Sequence, residues 1–391
     1  MTRLRWLTAG ESHGPALTVI LDGVPAGLPL LAEDVREDLA RRQRGYGRGG
    51  RMKIETDVAA LEAGVRGGET LGGPIALRIE NRDFANWVGR MGPAPFDAPP
   101  EPVSTPRPGH ADLAGGMKFN RKDLRDILER ASARETAARV AAGAVARKIL
   151  AACGVTVASR VLSIGGARDG TVMDPRRWAL PGDVRDALER NDLRVLDDEA
   201  GQRMRAEIHA ASHAGDSVGG VVEAVALGLP PGLGSHTQWD RRLDGRLAQA
   251  VMSVQAIKAV EVGEGWSVAQ GRGSAAHDEI AREGGAYARV TDRAGGLEGG
   301  MTNGEALVIR AAMKPLSTLR APLRSVDVRT REPSPAAVER TDICAVPAAG
   351  VVVEAMLCLV LADAALEKLG GDSMLELSRN LDAYRAQVAA F

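Results

Sequence analysis

Apolar and polar residues follow two different patterns along the chain, which together predict a mixture of strands and helices. Short apolar runs that end in turn signals predict strands at residues 17–21, 75–79, 155–164, 218–227 and 306–313. Apolar residues that recur every three or four positions predict helices at residues 32–44, 121–152, 198–214, 347–369 and after Asp372. Residues 248–262 carry both signals. With no fixed-period repeat and no clear linker, we expect one domain over residues 1–391.

The strongest helical pattern, residues 121–152, has an apolar stripe through Leu124, Ile127, Leu128 and Ala131 and stops at Gly154. Within that helix, Arg130 and Arg134 lie four apart on one face, with Ser132 between them. Two adjacent guanidinium groups repel each other unless an anion lies between them. Glu129 or Glu135 could be that anion, and so could a bound phosphate; the sequence leaves both open.

Two segments cannot stay regular. Residues 45–51 are rich in glycine, and residues 92–108 contain seven prolines. An irregular segment as long as residues 92–108 is usually functional or disordered in a compact protein.

Composition narrows the class of protein. The 391 residues are 45% hydrophobic and carry 50 Lys and Arg against 51 Asp and Glu, which excludes a disordered chain. The three cysteines are widely spaced and form no CxxC pair, so we expect a reducing compartment. The N-terminus lacks the apolar core of a secretory signal, and the apolar stretch at residues 346–362 falls short of the roughly 20 residues that a membrane span needs. We therefore expect a cytoplasmic protein without a membrane span.

Residues 41–53 contain six cations and no anion. Such a run could be a nucleic-acid-binding segment, a solvated basic face, or a loop that binds a strongly anionic small molecule. Scarce aromatic residues and the near-neutral net charge argue against nucleic acid. The chain has neither a Walker A sequence nor a Rossmann fingerprint, so a bound nucleotide would use neither of these cradles.

Two histidines lie in turns, where acid–base residues are often held by a rigid scaffold. His13 lies in the sequence Gly-Glu-Ser-His-Gly, and His110 ends the proline-rich segment in Arg-Pro-Gly-His-Ala-Asp. His209 and His213 have the spacing of two zinc ligands on a helix, but the HExxH glutamate and a third ligand are missing. We expect these two to be surface histidines and expect no metal site.

Several motifs in order resemble the chorismate synthase family from end to end. They are residues 10–14, 22–25, Arg42 with Arg48, and residues 107–112, 129–136, 215–220, 255–258, 299–300 and 314–315. Each is common alone, but their order and spacing over more than 300 residues are specific. The last motif, residues 340–344, departs at Thr341, where the family more often has His or Ser, and at Ile343, where it more often has Pro or Val. Arg340, Asp342 and Cys344 match.

The resemblance implies an α+β fold of the β-α-β sandwich type, assembled as a homotetramer. It implies a trans 1,4-elimination of phosphate from 5-enolpyruvylshikimate 3-phosphate to give chorismate. Reduced FMN is needed although the reaction has no net redox change, and NADPH would serve only as an external reductant.

The resemblance also implies roles for particular residues. His13 would protonate the departing phosphate, His110 would keep the reduced flavin suitably protonated, and Asp342 would help to move the proton that leaves the substrate ring. The expected substrate contacts are Ser12, Arg42, Arg48, Arg107 and Arg134. The expected flavin contacts are Arg130, Ala131, Ser132, Gln255, Ala256, Gly299, Lys314, Pro315, Leu316, Ser317, Thr318 and, beside the substrate arginines, Arg340.

Two other functions remain open from the sequence. One is RNA binding through residues 41–53, which steep salt dependence would reveal. The other is a flavin or nicotinamide oxidoreductase with net redox turnover. Some chorismate synthases reduce their own flavin with NADPH, and the sequence does not decide this point.

Overall fold

A computed structural model describes residues 3–49, 56–339 and 342–391. The helices are α1 (Ala32–Gln43), α2 (Val88–Met91), α3 (Asp112–Phe119), α4 (Arg125–Ala131), α5 (Thr136–Ala152), α6 (Pro175–Trp178), α7 (Asp183–Arg190), α8 (Asp198–His213), α9 (Leu243–Met252), α10 (Trp266–Gln270), α11 (Gly273–Ala276), α12 (Val346–Leu369) and α13 (Met374–Ala389). The strands are β1 (Arg5–Ala9), β2 (Ala16–Asp22), β3 (Ala59–Ala63), β4 (Val65–Arg66), β5 (Glu69–Thr70), β6 (Ile75–Glu80), β7 (Thr156–Ile164), β8 (Ala167–Arg168), β9 (Gly220–Leu227), β10 (Ile257–Val262), β11 (Ile280–Glu283), β12 (Ala286–Arg289), β13 (Leu297–Glu298), β14 (Met301–Thr302), β15 (Leu307–Met313), β16 (Arg324–Val326) and β17 (Pro333–Pro335).

Two antiparallel sheets form the outer layers. The first has the order β1-β2-β6-β3, and the second has the order β10-β15-β9-β7-β8. In the first sheet Leu17 pairs with Ile79 and Leu21 with Ile75, and all four are buried. The alternation of buried and exposed residues along β2 directs one face of this sheet inward.

Helices fill the space between the sheets. α5 packs on β2 and on α1, α12 packs on β7 and β9, and α5 and α12 pack against each other. Small residues permit this last contact: a Cβ atom at Gly143 would lie 2.4 Å from the Cβ atom of Ala355. The sheet–helix–sheet arrangement confirms the expected α+β sandwich.

α12 contains a buried carboxylate. Glu354 is 0% exposed and accepts hydrogen bonds from Arg41, Arg147, Arg194 and the Ser159 hydroxyl at 2.6–3.0 Å. Burial raises the pKa of Glu354, but the three guanidinium groups outweigh burial and hold that pKa below its usual value. The cluster connects α12 to α1, α5, β7 and the segment before α8.

α12 is long and apolar enough to cross a membrane, but 94% of its apolar window is buried inside the described chain. It is therefore a core helix. The predicted helix over residues 347–369 is therefore confirmed, and it extends past the end of its most apolar stretch, residues 346–362. In the structure the helix continues to Leu369, and Asp363 accepts a hydrogen bond from Arg246.

The predicted single helix over residues 121–152 is wrong. α4 ends at Ala131, Ser132 is extended at φ −61° and ψ 142°, and α5 begins only at Thr136 after one 3-10 turn. The hydroxyl of Ser132 accepts a hydrogen bond from the Arg134 backbone N–H, which is the contact of an N-cap. Arg130 and Arg134 therefore do not share a helix face.

The other predicted strands and helices are confirmed to within a few residues. The ambiguous stretch 248–262 contains the end of α9, a turn and strand β10. Ala256 in that turn has φ +68°, a left-handed conformation that strains a residue with a side chain.

Candidate active site

A cavity of about 770 Å³ opens beside the break between α4 and α5. Its lining comes from the turn around His13, the loop around His110, residues 131–136, the turn at 254–256, the segment 313–320 and the first turns of α12. Loops from both sheets therefore meet the central helices here. The volume lies in the range of small-molecule sites.

Most of the residues that the sequence analysis assigned to the site line this cavity. They are Ser12, His13, Arg42, Arg48, Arg107, His110, Ala131, Ser132, Arg134, Gln255, Ala256, Lys314, Leu316, Ser317, Thr318 and Asp342. Arg130, Gly299 and Pro315 are not in the lining, and Arg340 lies outside the described residues. Arg130 is exposed and donates to the backbone oxygens of Thr8 and Gly10. Gly299 lies in the turn between β13 and β14.

Arg42 and Arg134 are held side by side by one buried carboxylate, Asp57. Arg42 Nη1 lies 3.2 Å from Asp57 Oδ2, and Arg134 Nη1 lies 2.5 Å from Asp57 Oδ1. Burial, helped by the positive charges of Arg134 and Arg48, lowers the pKa of Arg42 to about 10 against the attraction of Asp57. Asp57 is thus a close anionic partner of Arg134, while Glu135, one of the two expected anions, lies 4.0 Å from Arg130.

The basic segment divides between core and cavity. Arg41 points away from the cavity and forms ion pairs with Asp38, Glu189 and Glu354. Arg48 points into the cavity, where its Nε lies 3.2 Å from Asp342 Oδ2. The Gly49 backbone N–H donates to the other carboxylate oxygen of Asp342 at 2.6 Å. The described part of the basic segment is therefore not a single solvated basic face.

His13 is held from two directions. Its Nδ1 lies 3.0 Å from Glu129, and its backbone N–H donates to the same carboxylate at 2.8 Å. The ring also stacks on Trp87, with centroids 4.1 Å apart and planes tilted by 30°. The ring orientation is therefore fixed before any ligand binds.

His110 has a comparable carboxylate partner. Its Nδ1 donates to Asp112 at 2.5 Å, and Arg107 binds the same carboxylate through Nε at 2.9 Å. Burial raises the pKa of Asp112, but the hydrogen bonds from His110 and Arg107 outweigh it and hold that pKa well below its usual value. Arg107 Nη1 also donates to Thr318 at 2.8 Å, which joins this loop to the 314–318 segment.

Gln255 offers an acceptor to the cavity. Its Nε2 donates to Glu135 at 3.0 Å, which fixes the amide, while its Oε1 is buried with no hydrogen-bond partner among the described residues. A buried acceptor of this kind usually has a partner in the working protein. Nearby, Lys314 Nζ donates to Ser317, and Ser317 donates to the Gly109 oxygen. Burial and the neighbouring Lys258 lower the pKa of Lys314.

Sequence reasoning missed several residues of the site. No sequence pattern marked Trp87 or Arg320 as site residues. Asp57 follows the basic segment closely, so its negative charge could have indicated a partner for the nearby arginines. Glu129 was considered only as a partner for arginine. A separate question is whether His209 and His213 could bind a metal. Both are exposed, with ring centroids 4.5 Å apart. Within the described ranges, no group of three or more His, Cys, Asp or Glu side chains could hold a metal.

Cations dominate the described cavity lining. Arg42, Arg48, Arg107, Arg134, Lys314 and Arg320 face it, against the carboxylates Glu339 and Asp342. Two histidines with fixed rings supply groups that can move protons. The fold and this site define an enzyme that acts on an anionic small molecule.

Comparisons with known proteins agree with this class. The family model for chorismate synthase matches residues 4–366. The chorismate synthase of Aquifex aeolicus is 54% identical over 396 residues, covering 99% of both chains. That of Rubrobacter xylanophilus is 55% identical over 386 residues, covering 99% of this chain and 97% of the relative. A crystal structure of chorismate synthase aligns over 100% of both chains, with 45% identity and a TM-score of 0.81.

The chain belongs to the chorismate synthase family. Members of this family are lyases of the shikimate pathway, which leads to the aromatic amino acids, and this chain is such a lyase.

Proposed function

We propose that the chain converts 5-enolpyruvylshikimate 3-phosphate to chorismate in the 770 Å³ cavity, with reduced FMN bound beside the substrate. The reaction is a trans 1,4-elimination of phosphate and a ring hydrogen, without net redox change. The observation that carries the proposal is the convergence of five arginines and two carboxylate-bound histidines on one cavity.

The charge of the cavity suits this substrate. Two carboxylates and a phosphate give about four negative charges near neutral pH, because the second pKa of a phosphomonoester is about 6. Arg42, Arg48, Arg107 and Arg134 would bind these groups, with Ser12 beside them. Planar guanidinium groups bind carboxylate and phosphate through paired hydrogen bonds. Asp57 keeps two of these arginines together in the absence of substrate.

A second group of lining residues fits the flavin. The buried Oε1 of Gln255 can accept an N–H from the cofactor, and Lys314 can bind its phosphate. Ala131, Ser132, Ala256 and residues 315–318 would complete the contacts, with Arg130, Gly299 and Arg340 as further expected members. When bound, reduced FMN supplies electron density that eases the breaking of the C–O bond.

The protein would move protons at three places. His13 would give a proton to the departing phosphate, which lowers the barrier by neutralising developing charge. His110 would hold the reduced flavin in its suitable protonation state. Asp342, fixed by Arg48 and the Gly49 N–H, would help to move the proton that leaves the substrate ring.

Three further expectations belong to the same proposal. The chain would work as a homotetramer in the cytoplasm, with NADPH only as an external reductant. One apolar cluster that runs from β2 through α5 and α12 to α13 supports a single domain over residues 1–391. RNA binding is not supported by the described arginines of the basic segment. Arg41 in the core and Arg42 in the cavity are buried, and a buried guanidinium cannot reach a nucleic-acid backbone.

An anaerobic assay tests the proposal. Chorismate formation is measured with photoreduced FMN, with oxidised FMN and without flavin. We expect turnover only with the reduced cofactor. Gln255→Ala should weaken binding of reduced FMN and leave the affinity for substrate nearly unchanged, whereas equal turnover with oxidised and reduced flavin would refute the proposed cofactor.

A further inference from the structure

Glu129 makes an unusual set of contacts with the turn that carries His13. Its backbone oxygen accepts from the Ser12 N–H at 3.0 Å, and its carboxylate accepts from the His13 N–H at 2.8 Å. The same carboxylate lies 3.0 Å from His13 Nδ1 through both oxygens. One residue at the end of α4 therefore fixes both the backbone and the ring of a histidine 116 positions away.

The carboxylate is buried and charged. The side chain of Glu129 is 1% exposed. Burial raises its pKa, but the hydrogen bond and charge of His13 and the charge of Arg125 outweigh burial and lower the pKa below its usual value. An ionised carboxylate only accepts hydrogen bonds, so the nitrogen of His13 that faces it must carry a hydrogen.

Two further groups hold this pair in place. Arg125 Nη1 donates to Glu129 at 2.9 Å, and its Nη2 donates to Glu339 at 3.0 Å. Trp87 lies against the face of the His13 ring, and the Arg125 guanidinium lies 5.0 Å from the Trp87 ring centroid. The charged groups that face Glu129 are thus His13 and Arg125, with Glu339 balancing Arg125 from the far side.

We propose that Glu129 is a positioning residue that holds the hydrogen of His13 on Nδ1 and so presents Nε2 to the departing phosphate. This inference rests on the proposed function. In the step itself, the Nε2 proton moves to a phosphate oxygen as the C–O bond breaks and its electron pair leaves with the phosphate. The ring then remains neutral, with its Nδ1–H still donated to Glu129. The carboxylate stabilises the charged ring before the step and selects the correct tautomer after it.

The first test reads the tautomer directly in flavin-free protein. The chain has six histidines, so nitrogen-15 labelling of histidine gives a small set of ring signals, and His13→Asn identifies those of His13. At a pH where the ring is neutral, we expect native His13 to carry its hydrogen on Nδ1 and Glu129→Gln to show the Nε2–H form as well. Glu339→Gln removes the carboxylate at the other end of Arg125 and should leave the His13 tautomer unchanged.

The second test reads the consequence for turnover. Glu129→Gln should lower kcat by about tenfold or more with a smaller change in KM, and its activity should disappear at a lower pH than that of the native enzyme. Glu129→Asp keeps the charge and should restore part of kcat and the native pH limit. Glu129→Asp can also be assayed in its place if Glu129→Gln folds poorly.

Two results would overturn the inference. One is an unchanged Nδ1–H tautomer in Glu129→Gln, and the other is a loss of activity with the native pH dependence and no rescue by Glu129→Asp. A native protein that forms no chorismate would refute the proposed function instead, and the tautomer measurement would still decide what Glu129 does to His13.

Discussion

Replacing Glu354 by glutamine should destabilise the protein more than any exposed charge substitution. Glu354 is fully buried and accepts from three guanidinium groups and from the Ser159 hydroxyl. A neutral amide has one acceptor oxygen, so the arginines are left buried without their common counter-charge. Breaking a buried ion pair in this way costs about 3–5 kcal/mol in free energy of unfolding.

The effect should also depend on pH with a definite sign. The pKa of Glu354 in the folded protein lies below its ordinary value, so its stabilisation is complete above the unfolded pKa of about 4.3. That stabilisation is lost as the pH falls through the lower folded pKa. The difference between native protein and Glu354→Gln should therefore be largest near pH 7 and shrink under strongly acidic conditions.

Guanidinium unfolding followed by circular dichroism measures this difference at a series of pH values. Glu80→Gln is the matched control, because Glu80 forms an ion pair with Arg78 but its side chain is 74% exposed. That control should change the free energy of unfolding by less than about 1 kcal/mol. Equal stability of Glu354→Gln and native protein at pH 7 would refute the reasoning about the buried cluster.

The remaining predictions concern the cavity. Arg48→Ala should weaken substrate binding by about 10- to 150-fold with little loss of stability, since one charge-assisted hydrogen bond is worth about 1.5–3 kcal/mol. Calorimetric titration and thermal melts measure the two effects. A large fall in melting temperature with unchanged affinity would mean that Arg48 has a structural role. His13→Ala and His110→Ala should each slow turnover by about a hundredfold or more while both ligands still bind. A substrate analogue with a better leaving group should partly mask the loss in His13→Ala, and the absorbance of bound reduced FMN against pH should change in His110→Ala; identical behaviour of both variants in both tests would exclude separate roles.

Local pattern was enough to predict the longer core elements but not the strands β1 and β3 or the short helices. β2 and β6 are apolar runs bounded by turn residues, and α12 is apolar on all sides because it is packed between α5 and the second sheet. The break at Ser132 could not be predicted in this way, since neither glycine nor proline marks it. Distant contacts stabilise the break instead: Arg134 binds Asp57 and Asn81, and Glu135 binds Thr8 and Gln255.

The candidate site likewise contains residues that could be predicted from the sequence and residues that could not. The two histidines in turns and the basic segment pointed to acid–base and anion-binding residues, and the resemblance to the chorismate synthase family supplied the other expected contacts. The structure gathers most of these residues around one cavity. Their partners were harder to predict. Asp112 lies two residues from His110, so spacing alone could have indicated it. Glu129 lies 116 residues from His13 and meets it only through the packing of α4 against the first turn of the chain, which no local pattern encodes.

The ratio of phosphate released to NADPH consumed tests the central claim most directly. The native protein is incubated anaerobically with 5-enolpyruvylshikimate 3-phosphate, a catalytic amount of photoreduced FMN and added NADPH. The account predicts many equivalents of phosphate and chorismate per flavin, formed in equal amounts, with no stoichiometric oxidation of NADPH. Oxidation of one NADPH for each phosphate released would contradict an elimination without net redox change.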